Sequence, residues 1–137
     1  MFDLIPFTIF IFITLFHIYM GIGAPLNYDY VLPTIKQKPL PFHSAMAIPV
    51  AILLTLSTAA FGYESGILTN ELLSNYSRQW LVLTASALVF RGCFGLIVFH
   101  LLNKVIDPTL FKVWDLRLYS PLTLYLGISS FKVLGII

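Results

Sequence analysis

Residues 79–102 run QWLVLTASALVFRGCFGLIVFHLL, and Arg91 is the one formal charge among them. An α-helix rises about 1.5 Å per residue, so roughly 20 apolar residues cover the ~30 Å hydrocarbon core of a bilayer. The stretch therefore predicts a membrane-crossing helix. In lipid such a helix satisfies its own backbone N–H and C=O groups, which an irregular chain cannot do there.

Working outward, residues 4–23 and 44–63 carry no charge, and residues 118–137 carry only Lys132 near their end. Each is long enough to cross. The expected fold is all-α, an integral membrane four-helix bundle formed by residues 1–137 as a single domain, with both termini on the same side. The connections are 24–43, with Pro25, Pro33, Pro39 and Pro41, then 63–78, with Glu64 and Glu71, and 103–117. No internal repeat suggests two halves.

Composition agrees. Of the 137 residues, 58% are hydrophobic and 10% charged, with a mean hydropathy of +0.90, whereas soluble domains carry about 25% charged residues. The net charge of +2 is scattered, and no basic run tracks a phosphate backbone, so nucleic-acid binding has no electrostatic support. Cys93 is the sole cysteine, which excludes an internal disulfide and a multi-cysteine zinc site; a buried small side chain is expected there. Met1-Phe2-Asp3 leads directly into the first apolar stretch without a basic region, so this helix is expected to remain rather than serve as a removable signal.

Lys36, Lys38, Lys104, Lys112 and Arg117 fall in the first and third connections, against Arg78 and Lys132 on the opposite side. Cytoplasmic loops carry the excess of Lys and Arg, so both termini are expected outside.

Apolar tails drive no helix association, so small residues and interhelical hydrogen bonds must contribute. At steps of three and four, Thr14, His17 and Gly21 share a face of the first helix, and Thr55, Thr58 and Gly62 one of the second. Thr84, Leu88, Arg91 and Gly95 do so on the third, and Ser120, Thr123, Gly127 and Ser130 on the fourth. These faces should point inward. Pro49 falls in the first turn of its helix, where a missing N–H is tolerated.

Arg91 lies near the middle of its span, where an arginine costs on the order of 2.5–3.5 kcal/mol to insert. It is either an anchor for an anionic ligand or gate in a polar pathway, or a structural clasp. His17, His43 and His100 all fall toward one side. Imidazoles can hold zinc, haem iron or protons, yet no two histidines stand at i, i+4, and an interior His17 with interfacial His43 and His100 is the expectation. Tyr19 is on a different face from His17.

Residues 114–121, Trp114-Asp115-Leu116-Arg117-Leu118-Tyr119-Ser120-Pro121, are the densest polar and aromatic group. Trp114 and Tyr119 could anchor an interface, Asp115 or Ser120 cap a helix, and Pro121 occupy its first turn. Alternatively Asp115 pairs with a buried cation, or Arg117 and Tyr119 hold a head group. No Ser-His-Asp order, P-loop, dinucleotide fingerprint or paired intramembrane carboxylates occur, leaving hydrolysis, nucleotide use and a carboxylate relay unsupported.

The order Phe16-His17-Ile18-Tyr19 with Gly21, Leu32-Pro33, Phe90-Arg91-Gly92 with Gly95, and Asp115-Leu116-Arg117-Leu118-Tyr119-Ser120-Pro121-Leu122 resembles a bacterial family of small four-helix membrane proteins known only as a domain of unknown function. The resemblance spans nearly the whole chain. It implies the four-helix fold and a bacterial inner (cytoplasmic) membrane, with periplasmic termini given the charge bias. It marks His17, Tyr19, Arg91, Asp115, Arg117, Tyr119, Ser120 and Pro121 as matching positions and implies no activity. Met20 and Cys93-Phe94 depart from the commoner pattern.

The leading functional expectation is non-enzymatic: an accessory subunit or ligand-binding module with a polar pocket toward the cytoplasm. Arg91 and His17 would line its depth, and Asp115, Arg117 and Tyr119 its rim. Its partners would be the bilayer and a larger membrane complex or further copies of the chain, with no catalytic residues, metal or cofactor. Transport by an oligomer, immunity against a membrane-targeting toxin, and haem or metal redox chemistry are the alternatives.

Overall fold

The computed structural model describes residues 3–25, 34–35, 38–39, 44–101 and 110–137, with backbone alone at 34–35, 38–39, 99 and 100. In chain order the elements begin with α1 (Leu4–Gly21) and the two-residue strands β1 (Thr34–Ile35) and β2 (Lys38–Pro39), which pair antiparallel. A 3₁₀ turn at Ser44–Met46 leads into α2 (Ala47–Glu64), and another at Glu71–Leu73 precedes α3 (Ser77–Leu101). The fourth helix consists of α4 (Leu110–Trp114), a π-helical turn (Asp115–Tyr119) and α5 (Ser120–Val133).

Helix ends follow from local chemistry. After α2, Gly66 adopts φ 73°, and its N–H and that of Ile67 fold back onto Tyr63 O and Gly62 O at 3.0 and 2.9 Å. This left-handed stop satisfies carbonyls that the helix leaves without partners, and glycine adopts it without a Cβ clash. Gly23 and Gly135 end α1 and α5 in the same way.

Neighbouring helices run antiparallel. Gly62, late in α2, lies against Phe7, early in α1, while Gly21 meets Ile48 at the other end. Ser77, which opens α3, donates to Glu64, which closes α2, and Arg78 Nη2 donates to Leu134 O at 3.1 Å. Both ends of the described chain thus share one end of the bundle with the 65–76 connection. α1 packs chiefly on α2 and α3 chiefly on α5, whereas α1 and α5 touch lightly.

The core is narrow: Phe10, Ala60, Phe61, Leu81, Leu126 and Leu134 are buried together, with the Phe10 and Phe61 ring centroids 5.4 Å apart. Large apolar side chains such as Leu53, Leu83, Phe90, Phe94, Ile97 and Ile128 instead cover the outside. Leu4–Gly21, Ser44–Glu64 and Ser77–Val98 are long and apolar enough to cross a membrane, yet only 22%, 33% and 22% of those windows are buried in the bundle. That leaves a large apolar surface, of the kind that marks contact with a membrane or another protein.

The fourth helix begins at Leu110, ahead of the expected 118. Its 14-residue α5 covers only about 21 Å at 1.5 Å per residue, so it matches the other helices in length only together with the π turn and α4. The charges of Lys112, Asp115 and Arg117 hide this earlier start in the sequence. Cys93 is exposed rather than buried: Gly92 and Gly95 turn toward the fourth helix, which puts Cys93 on the outer face.

Hydroxyl pairs join the helices. Thr14 and Thr58 meet at 3.1 Å across α1 and α2, and Ser57 and Thr84 at 2.8 Å across α2 and α3. Trp80 Nε1 also donates to Ser57 Oγ at 3.2 Å. Thr55, expected on this seam, is exposed with its hydroxyl on Ala51 O at 2.8 Å. α2 presents two faces, one to α1 through Thr58 and Gly62 and one to α3 through Ser57, and Thr55 falls just outside that sector. Ser57→Ala strands the Trp80 indole N–H and is expected to cost about 1 kcal/mol, measured as a lowered midpoint of thermal unfolding in detergent. Thr55→Ala is the neutral control.

Candidate functional site: a polar floor beneath an apolar cleft

Pro121 sets the local geometry. It has no N–H, and in a regular helix its ring would press on the carbonyl of Arg117. The backbone widens just before it, so that Ser120 N–H donates to Asp115 O, five residues back, as in a π turn. Residues five apart on an ordinary α-helix point in different directions. Here the widened turn sets them side by side, and Ser120 Oγ donates to Asp115 Oδ2 at 2.8 Å. Neither residue is a helix N-cap: Trp114 and Tyr119 hold the N-cap positions of the π turn and of α5, without side-chain cap bonds.

The pair receives Arg91 from α3. Nη2 binds Asp115 Oδ1, while Nη1 reaches Asp115 Oδ2 at 3.5 Å and Ser120 Oγ at 3.3 Å. Asp115 is 0% exposed and the Arg91 side chain 42%, so the carboxylate depends on the guanidinium for compensation more than the reverse. Two glycines admit this approach. A Cβ at Gly92 would overlap Leu124 and stand 2.9 Å from Ser120 O, and one at Gly95 would overlap Ser120 Oγ and Arg91 Nη1. Among the described residues every buried side-chain polar atom has a partner.

Arg91 also faces a cavity of about 720 Å³ bounded by α1, α2, α3 and the fourth helix. Its walls are mostly apolar, with Phe16, Leu54, Leu88, Phe111, Leu122 and Leu126 among them. Arg91, His17, Tyr119 and Thr123 are its polar lining residues. Phe12 and Leu118, which line it from α1 and the π turn, are exposed, so among the described residues the cleft opens sideways where α1 and the fourth helix barely touch.

His17 sits in this wall with Nδ1 at 2.8 Å from Ile13 O and its ring edge-on to Phe16 at 6.0 Å. A carbonyl only accepts, so Nδ1 carries the proton, and in the neutral ring Nε2 is left as an acceptor. Of the five guanidinium N–H donors of Arg91, Nε–H and one Nη2–H remain uncommitted among the described residues.

The predicted site residues thus separate. Arg91, Asp115 and Ser120 form one hydrogen-bonded cluster, and His17 and Tyr119 join Arg91 around the cleft. Tyr119 meets Phe111 with the rings tilted by 41° and their centroids 6.2 Å apart. Tyr19 and Arg117 are exposed and line neither. His43 and the His100 side chain lie outside the described residues, among which no three His, Cys, Asp or Glu side chains gather to hold a metal. Sequence reasoning missed the phenylalanine walls, which read as ordinary span residues, and Gly92, whose single-residue offset from Arg91 hid its contact with the fourth helix.

A family model described as protein of unknown function (DUF3995) matches residues 10–130, a range that holds the whole polar cluster and the cleft. No curated protein and no solved structure matches the chain significantly.

Proposed function

The chain belongs to the DUF3995 family, whose description assigns no activity, and from that premise we propose that it is a non-enzymatic, multi-pass membrane protein that binds a lipophilic ligand in the cleft. The cleft carries this reading: its volume of about 720 Å³ falls within the roughly 300–1,000 Å³ of small-molecule sites, and apolar walls around a few convergent polar groups are their usual make-up. Ser120 is fully buried, with its hydroxyl proton directed at Asp115, so the cluster is suited to holding a shape rather than attacking a substrate.

In this proposal all four helices cross a bacterial inner membrane with periplasmic termini. The cleft then lies in the cytoplasmic half, since His17 is near the end of α1 that leads into the first connection and Phe111 near the start of the fourth helix. A binding module of this size would serve as an accessory subunit of a larger complex or as an oligomer. The test is native mass spectrometry of the purified chain in mild detergent, with Leu122→Trp to fill the cleft. A lipophile should accompany the parent chain and be absent from the variant at similar thermal stability. Equal occupancy in both would refute the reading.

A further inference from the structure

The proposed binding reading is the foundation for a narrower one: we infer that the ligand is an electrically neutral lipophile whose head accepts a hydrogen bond from Arg91. The floor of the cleft is already balanced in charge, because the Arg91 guanidinium is paired with Asp115. An anionic head would lie beside that carboxylate in a medium of low dielectric, where like charges repel strongly. To bind the guanidinium fully it would have to draw Arg91 away and leave Asp115, 0% exposed, without a counter-charge, the costly way to break a buried pair. A cationic head would face Arg91 itself.

A neutral carbonyl or ester meets neither obstacle. It accepts from the Nε–H or the remaining Nη2–H of Arg91, which the protein leaves uncommitted among the described residues. A hydroxyl on the same head can donate to His17 Nε2, the Nδ1–H being held by Ile13 O. The rest of the molecule lies along Phe16, Leu54, Leu88 and Leu126. Among the described residues the opening beside Phe12 and Leu118 faces sideways, which favours a molecule arriving from the bilayer rather than from water.

Three matched probes separate the head from the tail: methyl palmitate, palmitate and hexadecane, each radiolabelled, with retention measured at mildly alkaline pH over the background of the Leu122→Trp variant. Methyl palmitate is expected to bind about tenfold more tightly than the other two, the worth of one good hydrogen bond. In Arg91→Leu/Asp115→Leu, which removes both charges together, that preference should vanish while hexadecane binding is unchanged. Arg91→Gln/Asp115→Asn should also lose it and serves if the first double variant does not fold. Palmitate binding as tightly as its ester, or an ester preference that survives in the double variant, overturns the neutral-head assignment and leaves the cleft a binding site. Retention of no probe above the Leu122→Trp background overturns both.

Discussion

Arg91→Leu is expected to destabilise the bundle by about 3–5 kcal/mol, the range found when one partner of a buried ion pair is removed. The asymmetry of the pair gives the expectation its content. Asp115 is 0% exposed, and without Arg91 its carboxylate keeps, among the described residues, only the Ser120 hydroxyl. Asp115→Leu should cost less, roughly 1–3 kcal/mol, because the long Arg91 side chain is 42% exposed and can snorkel its charge toward the polar interface. Arg91→Leu/Asp115→Leu, with no uncompensated charge left, should recover most of the loss. Unfolding followed by circular dichroism in detergent, on the three variants beside the parent chain, checks the order. If Arg91→Leu were no worse than Asp115→Leu, or the double variant no better than Arg91→Leu, the pair would not be the compensated cluster described above.

Much of the architecture was legible because lipid imposes a strict rule: a backbone in hydrocarbon must be helical, so long apolar stretches, uncharged at 4–23 and 44–63 and broken only by Arg91 at 79–102, translate directly into α1, α2 and α3. The fourth helix obeyed the rule less visibly. Its early turns carry Lys112, Asp115 and Arg117, which a hydropathy reading assigns to a connection, and only the Arg91 partnership shows why Asp115 can be buried. Spacing also found Arg91 and Gly95 on one stripe, but spacing assumes 3.6 residues per turn. The π turn before Pro121 breaks that assumption, so the alignment of Asp115 with Ser120 lay beyond any regular periodicity. Cys93 illustrates the opposite case. Its residue type favours burial in soluble proteins, yet in a bundle whose outside is apolar the type says little about which side it faces.

The approach of α3 to the fourth helix yields the second large effect. Gly95→Ala would normally stabilise an exposed helix interior by about 1 kcal/mol through propensity. Here the added Cβ would overlap Ser120 Oγ and Arg91 Nη1 and stand 2.8 Å from Asp115 Oδ2, so relief requires the cluster to come apart or the helices to separate. Overpacking costs about 1–3 kcal/mol, and the loosened hydrogen bonds add to it, so the net change is expected to be destabilising by roughly 1–3 kcal/mol. Cys93→Ala, two residues away on the exposed face, should stay within about 0.5 kcal/mol of the parent chain. The mechanism is separable from a general intolerance of α3 by a double-mutant cycle with Ser120→Ala, which removes the oxygen that the new Cβ would strike. Gly95→Ala should cost clearly less in that background, since groups in contact couple whereas independent sites add. Strict additivity of the two substitutions would mean that the close approach at Gly95 does not hold the cluster in place.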